Sequence, residues 1–277
     1  MNNLNNKPIT SKQANTIRNS WKECLSNEIS NLFYIAEKTG PVERYNSYFG
    51  LGKAGIAAIL ATGEEESIRL YMGSHKVIDP NTNEGQNTFL PLLKIGQAFY
   101  VLTYELKDGS NKKNSNQGML NSGNVGDGSS TEITEGTANL FRNKWDEMPD
   151  RDVLDAFSGL TYKNIRAYKG NGEKNISEIE EGLKQHRVES YEINKTDVNL
   201  IKTCLKTVEA DHQYFHLYLG AGLTVQIWHP FDFRPIFEIP ANTNKHMLYH
   251  GLNNNGDCKV YFERTKPCPP YCDPTLK

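Results

Sequence analysis

The chain has no run approaching eighteen consecutive apolar residues, so no segment reads as a transmembrane helix. Its charge is nearly balanced, −2 at neutral pH with a pI near 6.4, so no long-range field draws it to nucleic acid or an anionic bilayer. Cysteine is sparse: five residues, an odd number scattered as Cys24, Cys204, Cys258, Cys268 and Cys272, which is not a disulfide scaffold. The stretch Met1 to Asn6 is polar and lacks an apolar h-region, so no secretory signal is read there. The expectation is a cytoplasmic protein, or one exported without a cleaved leader. G-x-S-x-G, H-E-x-x-H and Walker strings are also missing, which removes the commonest motif-borne hydrolase and NTPase assignments.

The most informative pattern present is a repeat. Ile56-x-x-Ile59-Leu60-x-Thr62, Ile68-Arg69-Leu70-Tyr71-Met72-Gly73 and Phe89-x-Pro91-Leu92-Leu93-Lys94-Ile95 return in order. Their echoes are Ile201-x-x-Cys204-Leu205-x-Thr207, Phe215-His216-Leu217-Tyr218-Leu219-Gly220 and Phe233-x-Pro235-Ile236-Phe237-Glu238-Ile239, at offsets of 145, 147 and 144 residues. With 277 residues, 37% hydrophobic, the length suits two units of about 100–150 residues each. The expected fold class is α+β: two tandem related subdomains, each with helices packed on a short antiparallel sheet. The boundaries are 1–106 for the first unit and 137–277 for the second. Between them, 107–136 is almost wholly Gly, Ser, Asn and Lys near its centre and reads as a flexible linker or a long loop.

Local signals refine this. Thr10-x-x-Gln13 has capping-box spacing, and Ala14, Ile17, Trp21 and Leu25 form a helical stripe ended by Gly40-Pro41. A second helix is expected over Lys53–Ala61, then a strand at Ile68–Met72 whose Arg69 and Tyr71 share one face. Further strands are read at Thr88–Ile95 and Ala98–Leu106. The second unit repeats this with helices near Thr137–Trp145, Val153–Leu160, Ile176–His186 and Lys195–Val208, the last capped by Thr196 or Asp197. Strands follow at Tyr214–Leu219, Leu223–Trp228, Pro235–Ile239, His246–Tyr249 and Lys259–Arg264. The tail from Pro267 to Pro274 is read as too proline-rich for a ladder.

Several motifs resemble sites and fail on context. Gly50-x-Gly52-x-x-Gly55 opens a helix, but the segment before it is polar and aromatic and no acidic residue closes a second strand, so a helix-entry loop is the better account. Asp79-x-Asn81-x-Asn83 lacks the Gly and Glu that a calcium loop needs at its sixth and twelfth positions. Cys268-Pro-Pro-Tyr-Cys272 is read as a structural turn, with a disulfide ring, metal ligation or exchange chemistry as alternatives. Six of the seven histidines lie beyond residue 180, and the pairs His212/His216 and His246/His250 share a four-residue step. On a strand that step is about 13 Å, too long for one ion, so a zinc site needs His216, His229 and His250 from different strands.

The block Tyr48-Phe49-Gly50, Ile56-x-x-Ile59-Leu60-Ala61, Ile68-Arg69-Leu70-Tyr71-Met72-Gly73 and the closing Cys268-Pro-Pro-Tyr-Cys272 resembles a family of small uncharacterised bacterial proteins with an I-R-x-Y-x-G strand and a C-P-P-x-C tail. The resemblance implies an α+β unit and brings no activity, cofactor or site residue. The function expected is a non-enzymatic binding or interaction protein with a protein partner, no nucleic acid and no membrane. Arg69, Tyr71, His216 and Tyr218 are the expected binding residues, on matched strands and the groove between repeats. The alternatives are a zinc-dependent hydrolase using His216, His229 and His250, and a secreted effector or immunity-type protein.

Overall fold

The computed structural model describes residues 7–35, 43–45, 47–63, 66–78, 85–105, 132–133, 135–157, 187–223, 231–241, 251–252, 258–262 and 266–268. The features read at Asp79–Asn83, most of 107–136, Ile176–His186, Leu223–Trp228 beyond Leu223 itself, His229, His246–His250 and Cys272 lie outside them.

Helix α1 runs Ser11–Glu23, and Thr10 and Gln13 close the anticipated capping box reciprocally. A 3-10 turn, Ile29–Phe33, leads into β1 (Tyr34–Ile35), which pairs with β2 (Glu43–Arg44). Then come β3 (Tyr48–Leu51), α2 (Lys53–Ala61), β4 (Ile68–Tyr71), β5 (Ser74–Ile78), β6 (Gly85–Phe89), β7 (Leu92–Ile95) and β8 (Ala98–Glu105). The second half holds β9 (Glu132–Ile133), α3 (Glu135–Glu147), α4 (Asp150–Ala156), β10 (Ser190–Ile193) and α5 (Lys195–Thr207). It ends with β11 (His216–Leu223), β12 (Phe231–Ala241), β13 (Gly251–Leu252), β14 (Cys258–Phe262) and β15 (Lys266–Cys268).

Several expectations change, among them the helix read as ending at Gly40-Pro41: α1 stops at Glu23, and Tyr34–Ile35 is a strand. The second half begins at β9, inside the stretch read as loose, because Ile133 pairs with Tyr261. Asn194 caps α5, its side chain accepting from the Asp197 N–H at 2.8 Å. Pro267 does enter a ladder, opposite Tyr191; proline is tolerated where its missing donor faces away from the partner.

The protein is a mixed α/β fold with a curled antiparallel sheet. Among the described residues the strand order is β13-β14-β12-β11-β3-β8-β7-β4-β10-β15, with β9 beside β14. Every ladder is antiparallel. In a flat sheet β14 and β15 would stand about 38 Å apart, eight strand spacings. They are separated by only the three residues 263–265, which reach about 14 Å at most. The sheet therefore bends back on itself.

Both halves feed this one sheet, and they do so reciprocally. The strand before α2, β3, pairs with β11 of the other half, Tyr48 opposite Tyr218; the strand before α5, β10, pairs with β4, Ser190 opposite Tyr71. The registers of the two central hairpins and of the crossing ladders coincide, while β10–β15 is one residue out of step with β3–β8. Arg69 faces Lys94 as His216 faces Glu238, and the bridge Ile9 to Phe99 is matched by Ile133 to Tyr261. In the first half the long hairpin breaks at Met72–Gly73 and Leu90–Pro91 but keeps register, with Tyr71 opposite Leu92 and Ser74 opposite Phe89.

One sheet face, with α2 and α5, encloses the main core, which includes Leu70, Leu93, Leu217, Phe237, Ile59 and Ile201. The other face carries two smaller clusters: Tyr71 and Leu92 with Ala14 of α1, and Tyr218 and Ile236 with Ala138 of α3. The neighbouring stretch of chain, joined at Gly73 by Ile17 of α1, leaves no room for a Cβ on the residue two beyond each tyrosine. A Cβ on Gly73 would lie 2.5 Å from the Leu90 carbonyl oxygen, and one on Gly220 2.7 Å from that of Arg234. This explains the repeated Tyr-x-Gly.

Candidate functional site

The largest side chains meet where the halves interlock. Phe33 and Phe157 stack at 5.3 Å with their planes 2° apart, and each is met edge-on by the other half's tryptophan, Trp145 at 5.0 Å and Trp21 at 5.2 Å. Phe89 lies 4.8 Å from Phe33, and Phe233 lies 4.5 Å from Phe157. Two arginines then tie the helix ends across the halves. Arg187 Nη1 donates to the carbonyls of Trp21 and Cys24, both at 2.7 Å, while Arg44 Nη1 donates to those of Trp145 at 2.9 Å and Met148 at 2.6 Å. Their Nη2 groups turn to Ser26 and Asp150 respectively. Unpaired carbonyls at a helix C-terminus need such donors, so these arginines serve the fold.

The expected binding residues fall into two separate places, because β4 and β11 lie on opposite sides of the curled sheet with three strands between them. Among the described residues, Arg69 and Tyr71 stand apart from His216 and Tyr218. Both tyrosines are buried under helices, Arg18 lying 4.2 Å above the Tyr71 ring and Arg142 4.1 Å above that of Tyr218. Arg69 faces Glu192 at 3.5 Å, and Lys94 lies over Phe99.

At the matching place in the second half the chemistry differs. His216 stands where Arg69 does, Glu238 where Lys94 does, and Tyr48 where Ser190 does. The imidazole is held between two rings, Tyr48 at 3.8 Å and Tyr214 at 4.4 Å, each 20° from parallel. Its Nδ1 faces Glu238 Oε1 at 3.6 Å and is sealed from solvent. Glu238 is 4% exposed and accepts a hydrogen bond from the Tyr218 hydroxyl. Burial, then the Glu238 charge, push the Tyr218 phenol well above its usual range, against the lowering effect of Arg142. Tyr218 therefore stays a donor at neutral pH. Tyr48 in turn donates to Glu105 Oε2 at 3.0 Å.

Among the described residues no three His, Cys, Asp or Glu side chains gather as a metal-ligand group, and His216 meets Glu238 alone of that kind. No described helix is long and apolar enough to cross a membrane. The Gly50–Gly55 string forms the end of β3 and the start of α2, and β3 is antiparallel to both its neighbours, unlike the parallel strand of a dinucleotide site.

The sequence repeat has a stronger part that the reading of strands missed. Ile9-Thr10-x-x-x-Ala14-Asn15-x-Ile17-Arg18-Asn19-x-Trp21-x-Glu23 recurs 124 residues on as Ile133-Thr134-x-x-x-Ala138-Asn139-x-Phe141-Arg142-Asn143-x-Trp145-x-Glu147. It points directly to Arg142, and through it to Tyr218. Fold and site thus define a mixed α/β protein with a curled antiparallel sheet and a polar aromatic cluster on its outer face. No protein-family model, curated protein or solved structure matches the chain.

Proposed function

We propose that the chain is a tandem duplication in which one of two equivalent places, on β11 of the second copy and completed by Tyr48 of the first, is the working surface of a non-enzymatic binding protein. Reciprocal pairing of β3 and β10, the paired Arg–Tyr stacks and the recurring Ile-Thr…Arg-Asn-x-Trp string support two related units. Positions that fold the chain are alike in both copies. The observation that carries the binding reading is the contrast at equivalent positions: Arg69 and Lys94 in one, His216 and Glu238 framed by Tyr48 and Tyr214 in the other. Aromatic side chains that are half-exposed and already ordered make contacts at small entropic cost.

The partner is a protein that touches the Tyr48, Tyr214 and His216 surface. A photo-crosslinking residue at position 214 should trap one stoichiometric protein in the source cells, and His216→Ala should abolish the product; the same residue at exposed Lys76 should trap none. Equal trapping from both positions, or trapping indifferent to His216→Ala, would remove the proposal. Elemental analysis of untagged protein decides the zinc-hydrolase alternative: one zinc per chain supports it.

A further inference from the structure

The surface of Tyr48, Tyr214 and His216 carries charge as well as shape. Glu105 of β8 stands opposite Tyr48 of β3, and its Oε2 accepts from the Tyr48 hydroxyl at 3.0 Å. Its Oε1 rests over Gly50, where a Cβ would come within 2.8 Å of it, so the missing side chain is what lets the carboxylate settle there. Gly50 is directly opposite His216, which places this exposed carboxylate beside the aromatic stack. Glu238 flanks His216 from the other strand, and Arg142 lies over the Tyr218 ring at 4.1 Å. Among the described residues no Lys or Arg pairs with Glu105. The first half closes the same arrangement internally. Arg69 stands in the place of His216, Glu192 in the place of Gly50, and the two form an ion pair at 3.5 Å. The second half keeps a carboxylate, brought in by Glu105 from the next strand, and puts flat rings where the arginine was.

We propose that this surface is a site for a guanidinium group, carried by an arginine of the protein partner, which lies against the stack of Tyr48, His216 and Tyr214 and donates to Glu105. The inference rests on the binding reading just given and adds to it the chemistry of the partner's anchor. Arginine suits the place better than lysine, because one planar group both stacks on rings and donates to a carboxylate. The receiving groups are ordered before contact: the rings are stacked on one another, and the Tyr48 hydroxyl orients the carboxylate. Little entropy is then lost when the guanidinium arrives. In the first half Glu192 already has Arg69 for this purpose, so the equivalent place takes no arginine from outside.

Amide NMR titration of the full chain tests this without the partner in hand, using N-acetyl-arginine amide and its uncharged isostere N-acetyl-citrulline amide as probes. The arginine probe should shift the amides of Tyr48, Gly50 and His216 saturably and leave that of Tyr71 in place. The citrulline probe should bind about fivefold more weakly, and Glu105→Gln should weaken the arginine probe by about the same factor, the upper range for an exposed ion pair. The comparison of probes needs no variant to fold. No saturable shift, equal binding of the two probes, an equal response at Tyr71, or an affinity untouched by Glu105→Gln overturns the proposal. A crosslinked product at position 214 that survives Glu105→Gln would overturn it too, while keeping the protein partner. Arginine-selective binding with no crosslinked protein would keep the guanidinium site and remove the protein-partner reading instead.

Discussion

Arg187→Met is the sharpest perturbation of the interlock between halves. The guanidinium is 1% exposed and its Nη1 meets the carbonyls of Trp21 and Cys24 at 2.7 Å and Lys22 at 3.2 Å, so it closes the C-terminal end of α1 from the other half of the chain. Each charge-assisted hydrogen bond contributes about 1.5–3 kcal/mol, but one donor shared among three acceptors does not add them fully. Methionine fills most of the volume and leaves the buried carbonyls without their donor. The expected loss is about 3–5 kcal/mol, the range for removing one member of a buried polar network. At this chain length that is a drop in Tm of about 6–20 °C. Arg44→Met should cost less, since the Arg44 side chain is 11% exposed and its Asp150 partner 52%. Urea unfolding followed by tryptophan fluorescence and by circular dichroism supplies the assay, and the transition should stay single because each arginine holds the other half's helix. A loss under about 1 kcal/mol for Arg187→Met, or two separated transitions in the unaltered protein, would refute the reasoning.

Three further outcomes follow from the same structure. Gly73→Ala and Gly220→Ala should each destabilise by about 1–3 kcal/mol, because the new methyl meets a backbone carbonyl that cannot swing aside; thermal melts of the two variants check this. Trp21→Ala and Trp145→Ala should cost similar amounts, about 3–5 kcal/mol each, and a large effect at one site with none at the other would break the equivalence of their packing. Alkaline titration should show stability falling above pH 10: burial first, then the neighbouring Tyr104, push the Tyr45 phenol up to about 12, so the folded chain keeps a proton that the unfolded chain releases. Stability from this group is whole below pH 10 and declines by about 2–3 kcal/mol as pH rises to 12, with Tyr218 adding in the same direction.

Much of this fold was legible in the sequence for local reasons. The Thr10–Gln13 capping box, helix α2 at Lys53–Ala61 and the face alternation of Ile68 to Tyr71 depend on residues close in the chain, and they stand as read. The strand read at Thr88–Ile95 divides into β6 and β7 at Leu90–Pro91, where proline offers no N–H to the ladder, although Leu90 N–H still donates to the Gly73 carbonyl in register. The exchange of β3 and β10 was not legible: two separate short sheets and one shared curled sheet use the same alternating pattern, and only long-range pairing tells them apart. Tyr71 and Tyr218 look like surface anchors in a two-residue period, since a strand pattern cannot say that a helix will cover its polar face. The Glu238–His216 pairing was within reach, because carrying the Arg69 and Lys94 register across the two repeats places these residues opposite each other. Comparing the helices as well as the strands would have brought in Arg18 and Arg142.

Two halves exchange the strands that precede α2 and α5 and so hold each other in one sheet. A specific protease site introduced between Glu105 and Glu132, cut in the folded protein, tests it most directly. Native mass spectrometry should then find both fragments in one complex of full-chain mass, with far-UV circular dichroism unchanged and Tm lowered only modestly. Separation of the fragments into two independently folded species at micromolar concentration would contradict the account.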